Sequence, residues 1–431
     1  MDEEVRIRLI GLPPHTNVTI RAATEDDEKR AWTSHAEFRA DASGCVDVAA
    51  QESRGGSYRG ISPMGLFWSM QRAEQDGAVR SAFAKTGPSP HRVLLDAVAP
   101  VIAGGRVVAS VSLDRNFIAP GAESRDLTIP GNAGQSCTVG RLFIPCEASA
   151  SRPLPVVIVL SGSGGGFDVD KAAVLSRHGF AALALAYFGI PPLPPWLHRI
   201  PLEYFEAALT WLAAQPEIDS RRIGVLGVSR GAEFALLCAS RFSRIRAVVA
   251  YAPGSVAWAA GGRDKSTGEI IPCWTWKVEP VPFAPLPLRG FMLRSAVPVV
   301  ALRRPVMFRN LFRMALRNRE AVARAAIPVE QIHGPVLLVS GGDDHVWPAA
   351  EMSEAIMSRL KQHSFPYPVE HLHYPCAGHM LRYPYLPATS RQSRNPHLRN
   401  ARFSFGGTPE ADAEAQEKSW RRAIAFLRAS P

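Results

Sequence analysis

An antiparallel β-sandwich followed by an open, mostly parallel α/β sheet is the architecture this sequence predicts. Three observations predict it. Short runs that alternate apolar and polar residues occupy the chain up to about residue 145. From Leu154 onward the rhythm changes to continuous apolar runs separated by helical stretches. Between the two lies Cys146-Glu147-Ala148-Ser149-Ala150-Ser151-Arg152, a small, polar stretch with the composition of a boundary. The 431 residues are enough for two domains, and 46% hydrophobic with 20% charged residues is ordinary for packed globular chains. We therefore expect a first domain over 1–145 and a second over 146–431.

In the first part, Val5 to Ile10 alternates with period two and breaks at Gly11-Leu12-Pro13-Pro14; Asn17 to Ala22 alternates again. Trp32 to Arg39, Arg106 to Leu113 and Val139 to Ile144 add strand-like runs, and Gly60 to Met70 reads as a loop or short helix. Many short strands without a long helical period suggest an immunoglobulin-like sandwich.

In the second part, Pro155 to Leu160, Phe180 to Ala186, Ile223 to Leu226, Ala247 to Ala250 and Val336 to Ser340 are short apolar runs. Strands buried on both faces of a parallel sheet look like this. Helical stretches fall between them at Asp170 to His178, Pro201 to Gln215, Glu233 to Ser240 and Ala349 to His363. Residues 254 to 330, rich in Pro, Trp and Arg, interrupt the alternation. An insertion at that point lies over the strand ends, where open α/β sheets bind ligands, so we expect a lid or pocket wall.

The stretch with most chemical content is Ile223 to Ala232, in which an apolar run enters Gly227-Val228-Ser229-Arg230-Gly231 and a helix former leaves it. Gly-x-Ser-x-Gly between strand and helix is the nucleophile elbow, a tight turn that lifts one serine hydroxyl above the sheet edge. A base and an orienting acid are needed to use Ser229. Val336 to Gly342 ends a buried strand in Asp343-Asp344, and an acid just past a strand tip can hold an imidazole in the tautomer a base requires. Asp344 fits Gly-x-x-Asp-x-x-x-Pro from Gly341 to Pro348; Asp343 is the alternative, and either acid could instead cap the helix that follows. Among three nearby histidines, His371 and His373 lie two apart on a strand and read as its half-exposed surface, whereas His379 follows Pro375 and Gly378 on a loop. The order Ser229, Asp344, His379 is that of the α/β-hydrolases. Donors for a developing oxyanion are expected from the N–H of Arg230 and from Ser163 or Gly164 in Ser161 to Gly166. That glycine run fits neither a phosphate loop with its Lys-Ser nor a dinucleotide fingerprint.

Composition closes off other classes. The six cysteines form no Cys-x-x-Cys pair and none has a nearby His-x₃-His, so no metal and no thiol-redox role is expected, nor any cofactor. No apolar run is long enough to span a membrane, and the acidic start and the C-terminus match no targeting signal, so a reduced, cytoplasmic protein is expected. The net charge is +10, and arginines 289, 294, 303, 304, 309, 313, 317, 319 and 324 face a single acid, Glu320. Such a patch is a solvated face, a handle for an anionic substrate, or a peripheral contact with an anionic surface. It lacks the aromatic-interleaved pattern of a nucleic-acid module, so no nucleic acid is expected as partner.

The pieces together resemble the acyl-CoA thioesterase and bile acid-CoA:amino acid N-acyltransferase family over nearly the full length. In the first domain the likeness rests on Ser34-His35-Ala36, Gly55-Gly56-Ser57-Tyr58 and Pro63-Met64-Gly65-Leu66. In the second it rests on Gly162 to Gly166, Ala184 to Tyr187, Gly227 to Gly231, Gly341 to Trp347, Ala377-Gly378-His379 and Phe405 to Pro409. The resemblance implies an α/β-hydrolase behind a sandwich, an acyl-CoA or acyl-carrier thioester as substrate, and the roles of nucleophile, acid and base for Ser229, Asp344 and His379. It also implies that serine at the elbow goes with hydrolysis and cysteine with transfer to an amine, in keeping with the reactivity of a thioester acyl-enzyme. Acyl transfer to an amine or hydroxyl, or plain carboxylesterase action, are the other reactions the triad permits. Arg303, Arg304, Arg309 and Arg313 are the expected contacts for CoA phosphates. The 254 to 330 insertion departs from the family by being longer and richer in arginine.

Overall fold

The computed structural model describes residues 1–73, 82–99, 107–129, 138–302, 304–394 and 402–430. Arg303, Cys137 and Arg106 lie outside the described residues.

The first domain is built on a six-stranded antiparallel sheet. Its long members run Ala31–Arg39, Asn17–Glu25, His91–Val98 and Val107–Arg115 in that spatial order, with Gly55–Gly56 and Gln71–Arg72 both on the outer side of Ala31–Arg39. Alternate residues Val18, Ile20 and Ala22, Trp32, Ala36 and Phe38, and Val93 and Leu95 are buried, as period-two strands with one covered face must be. The cover is a two-stranded pair, Arg8–Leu9 with Val46–Asp47, and the short helix Gly65–Trp68, whose Leu66 and Phe67 join the same core. Only two residues of the alternating run Val5 to Ile10 are strand, and His91–Val98, which sequence reading passed over, is central. Its Arg92 and Asp96 are the polar partners of Asp114 and Ser110 across the ladder, which masked its apolar rhythm.

The second sheet has eight strands. Six are parallel, in the order Val369–Tyr374, Val336–Gly341, Ile245–Tyr251, Ile218–Val228, Leu154–Leu160 and Ala181–Ala186. Thr138–Ile144 and Glu123–Ile129 extend it antiparallel at the far edge. These two strands fall within the 1–145 stretch that sequence reading gave to the sandwich, yet they pair with the α/β sheet. An antiparallel edge strand alternates like a sandwich strand, so the pattern does not reveal which sheet it joins.

Successive residues of Leu154–Leu160 point into different cores. Val157 and Val159 face the helices Val169–Ser176 and Pro409–Ala429, and Val156, Ile158 and Leu160 face Glu203–Ala213 and Arg230–Ala239. The first of these cores runs without a break into the sandwich, through Phe117, Tyr383 and Trp420. Polar ties cross the same junction: Arg115 donates to the carbonyl of Tyr385 at 3.3 Å, and Trp420 Nε1 donates to Asp2 Oδ2 at 2.6 Å.

The insertion leaves the sheet after Ile245–Tyr251 and returns at Val336–Gly341. It forms short strands at Ala259–Arg263, Ile270–Pro272 and Trp274–Trp276, then a helical stretch from Leu288 to Ala301, and the helices Arg309–Leu316 and Arg319–Ala325. Trp274 stacks on Phe234 of the elbow helix, centroids 4.6 Å apart and planes 2° from parallel, so the insertion packs on the element that carries the elbow.

Candidate active site

Ser229 sits between the strand Ile218–Val228 and the helix Arg230–Ala239 with φ 56° and ψ −118°. A non-glycine residue in that region is strained, and the surroundings hold it there. Its N–H donates to the carbonyl of Tyr251 at 2.8 Å on the neighbouring strand, and its own carbonyl accepts from Ala232 and Glu233 in the first helical turn. The flanking glycines are steric necessities: a Cβ on Gly227 would strike the backbone of Gly231, and one on Gly231 would strike the carbonyls of Leu160 and Ser161. Helix and strand thus approach more closely than any side chain allows.

The glycine run after Leu154–Leu160 lies against the same turn. A Cβ built on Gly162 would stand 3.5 Å from the Ser229 Cβ. The run is closed by a turn from Gly165 N–H to the Gly162 carbonyl (3.2 Å) and anchored by Gly166 N–H on Phe188 and by Tyr187 Oη on the Ser161 carbonyl. Arg230 is the first residue of its helix, and the first N–H groups of an α-helix have no intrahelical acceptor. The Arg230 backbone and Gly162, at the start of the glycine run, therefore adjoin Ser229.

Asp344 and His379 are brought together. His379 Nδ1 and Asp344 Oδ2 are 2.7 Å apart, with Asp344 1% exposed and His379 buried. The other oxygen, Oδ1, accepts the N–H groups of Val346 (2.8 Å) and Trp347 (3.1 Å). These bonds close the loop ahead of Pro348; the helix Ala349–Gln362 itself starts without a side-chain cap, so neither acid caps it. Asp343 turns elsewhere, to His345 Nε2 at 2.9 Å and to the N–H of Gly407 at 3.0 Å. His371 and His373 share one face of the edge strand Val369–Tyr374, both meeting Ser340 Oγ, at 2.7 and 3.3 Å.

Trp347 links the two halves of the site. Its ring lies edge-on to His379, centroids 6.2 Å apart, and the Arg230 guanidinium sits 5.8 Å from its centre. Arg230 is itself buried in an ion pair with Glu233, Nη1 to Oε2 at 2.9 Å, and donates to the Ala259 carbonyl of the insertion. The second Glu233 oxygen accepts from the Trp258 N–H (3.0 Å) and Trp274 Nε1 (2.6 Å).

Two supports have roles that sequence reading did not assign. The loop Phe405–Gly407 accepts the His379 N–H at the Phe405 carbonyl (2.9 Å) and gives the Gly407 N–H to Asp343. Asp412, in the first turn of Pro409–Ala429, accepts the Gly378 N–H at 2.6 Å, one residue before His379. Burial pushes its carboxyl up to about 7, with Asp343 and Asp344 adding to the rise while the Gly378 N–H and Arg391 oppose it. The only available signal was Gly406-Gly407-Thr408-Pro409, a helix start in which the Thr408 side chain accepts from Ala411.

Of the expected arginines, the described Arg304, Arg309 and Arg313 separate. Arg309 is the one beside the acids: its N–H donates to the His345 carbonyl at 3.0 Å, and its guanidinium is 4.0 Å from Asp343. Arg313 is engaged with Glu351, and Arg304 is exposed. No group of acidic, histidine or cysteine side chains suited to a metal ion occurs among the described residues.

Comparison with known proteins decides the family. Residues 2–129 match the model of the acyl-CoA thioester hydrolase/BAAT N-terminal region, and residues 200–430 match that of the BAAT/acyl-CoA thioester hydrolase C-terminal part. The chain belongs to the acyl-CoA thioester hydrolase/BAAT family. Within that family, mouse "Acyl-coenzyme A thioesterase 2, mitochondrial" is 33% identical over 429 residues, covering 99% of this chain and 86% of that protein. Mouse "Peroxisomal succinyl-coenzyme A thioesterase" is 30% identical over 429 residues, covering 99% and 93%. These names include mitochondrial and peroxisomal forms, so family membership does not carry the cytoplasmic expectation. No helix among the described residues is long and apolar enough to cross a membrane.

Proposed function

We propose that this chain hydrolyses acyl-CoA thioesters through an acyl-enzyme on Ser229, with His379 as base and Asp344 as the acid that orients it. The observation that carries the reading is the buried 2.7 Å contact between His379 Nδ1 and Asp344 Oδ2, in a domain whose strained elbow presents Ser229. With Nδ1 engaged, Nε2 is the nitrogen left to take a proton. His379 removes the proton from Ser229 Oγ as the oxygen attacks the thioester carbonyl. The N–H groups of Arg230 and of Ser163 or Gly164 stabilise the oxyanion, a contribution of about 3 kcal/mol per donor in comparable sites. The C–S bond breaks, the CoA thiolate takes the proton from His379, and an ester remains on Ser229. Water, deprotonated by the same histidine, releases the carboxylic acid and restores the serine.

The family name spans hydrolysis and acyl transfer. The oxygen nucleophile at position 229 favours water as acceptor, because an oxygen ester is a poorer acyl donor to amines than a thioester. Among the described Arg304, Arg309 and Arg313, Arg309 is the one beside the acid loop and the contact we assign to CoA phosphates. The cytoplasm is our reading of its compartment, in keeping with its scattered cysteines.

The test is Ser229→Ala, assayed by thiol release from acyl-CoA of several chain lengths with the acid product identified by mass spectrometry. Thiol release should vanish. A folded variant that keeps more than a few per cent of the parent rate overturns the nucleophile, and conjugate rather than free acid in the presence of amines overturns hydrolysis.

A further inference from the structure

The stretch from Pro280 to Arg319 contains eight arginines and no acidic residue. It also holds five of the thirteen large hydrophobic side chains that are exposed among the described residues: Leu288, Leu293, Val297, Leu302 and Met307. The stretch is helical from Leu288 to Ala301, with a π-helical turn over Met292–Ala296. One side of it is accounted for, since Phe291 and Ala296 are buried with Val306 and Leu311 in a small core of their own. The other side is not. Leu293 is 75% exposed, Val297 53% and Leu302 69%. An outward row of this kind leaves contiguous apolar surface in water, which marks a contact surface.

The charges beside that row lack partners. Arg289, Arg294 and Arg304 are exposed, and among the described residues no carboxylate lies within ion-pair distance of them. The acids near the insertion pair with other arginines: Glu351 with Arg313, Glu320 with Arg324. An apolar row flanked by unpaired arginines is complementary to a boundary between hydrocarbon and anionic headgroups, where the side chains bury and the guanidinium groups remain at phosphate level. A protein surface of matching shape would have to supply both apolar area and several carboxylates; a bilayer supplies both without specific shape.

We propose that the Leu288 to Leu302 face seats this protein on an anionic lipid bilayer, lying on the membrane rather than crossing it. The contact is made by Leu293, Val297 and Leu302, with Arg289, Arg294 and Arg304 on lipid phosphates. Val306 N–H donates to the Arg402 carbonyl at 2.7 Å and Arg309 N–H to that of His345, so the seated face is joined by a short connection to the loops around His379. A ligand that partitions into lipid would meet the site from that side.

The experiment uses the full chain and needs no turnover. Co-sedimentation with vesicles of phosphatidylcholine alone is compared with vesicles that also contain phosphatidylglycerol, at low and high salt. Binding is expected to the anionic vesicles, weakened by salt. Arg289→Glu/Arg294→Glu should lower the partition coefficient at least fivefold per charge lost, from the usual strength of basic residues at anionic surfaces. Leu293→Glu/Leu302→Glu should also reduce binding, and thermal melts should show both variants folded. Equal sedimentation with both lipids, none with either, or parent-like binding by the two variants overturns the proposal. So does a lipid-free dimer that Leu293→Glu/Leu302→Glu dissolves, since a second copy would then cover the face.

Discussion

Asp344 divides its carboxylate between His379, at Oδ2, and the N–H groups of Val346 and Trp347, at Oδ1. One oxygen fixes the acid to its own loop and the other fixes the imidazole to the acid. Asp344→Asn should keep the first arrangement, through the amide oxygen, and spoil the second by presenting an amide N–H or the wrong tautomer partner. We expect kcat for thioester cleavage to fall by roughly 10³–10⁴. Asp343→Asn, whose carboxylate serves His345 and Gly407, should lose less than about tenfold by the same reasoning. Steady-state kinetics on the two variants decides between the acids; the reverse ranking would assign the role to Asp343.

The Arg230–Glu233 pair is buried beneath the insertion, and Glu233 is fully enclosed. Removing one partner leaves the other charge unpaired, so Glu233→Gln should cost about 3–5 kcal/mol of stability in urea unfolding. The double variant Arg230→Met/Glu233→Gln, which removes the unpaired charge while the amide oxygen still accepts from Trp258 and Trp274, should recover much of that loss. If Glu233→Gln melts like the parent, the pair does not hold the insertion to the elbow helix.

Asp412 gives a stability signature near neutral pH. Its carboxyl is raised in the folded protein to about 7 from an ordinary value near 4. A raised group stabilises the fold fully below its unfolded value, and that contribution is lost as pH rises toward the folded one. Asp412→Asn can still accept the Gly378 N–H but carries no titrating group. The difference in Tm, variant minus parent, should therefore grow as pH rises between about 4 and 7 and then level off. A flat difference would place the Asp412 carboxyl at an ordinary value.

Arg309 is placed to separate binding from chemistry. Charge reversal at Arg309 should raise KM for acyl-CoA roughly tenfold, the loss of one charge-assisted contact, while sparing kcat/KM for a small uncharged ester. Equal losses on both substrates would mean that it acts only by steadying the Asp343 loop.

The elbow was legible because its five residues encode their own geometry: two glycines at a contact too close for a side chain, between an apolar run and a helix former. Asp344 and His379 followed from chain order, although which of two adjacent acids turns toward the histidine depends on loop conformation. The strand Thr138–Ile144 was legible as a strand, though not as a member of the second sheet, since pairing partners leave no mark on alternation; its neighbour Glu123–Ile129 was not read as a strand. The side chains of Glu233 and Asp412 drew no reading from the sequence, because composition carries no sign of the Trp258 and Trp274 donors or of the Gly378 N–H that they accept. The arginine cluster read as one patch. Helical turns divide it into Arg309 at the acids, Arg313 on Glu351, and Arg289, Arg294 and Arg304 in solvent.

The core that passes from the sandwich through Phe117, Tyr383 and Trp420 into the α/β sheet makes the boundary between the domains one of chain topology and not of cooperativity. Two units with separate cores can melt independently; two units that share one cannot lose either half without exposing the other's apolar face. The first domain is therefore a wall of the second. Its removal would strip Tyr383 of its contact with Phe117 and Trp420 of its bond to Asp2, and leave an aggregating fragment rather than a smaller enzyme.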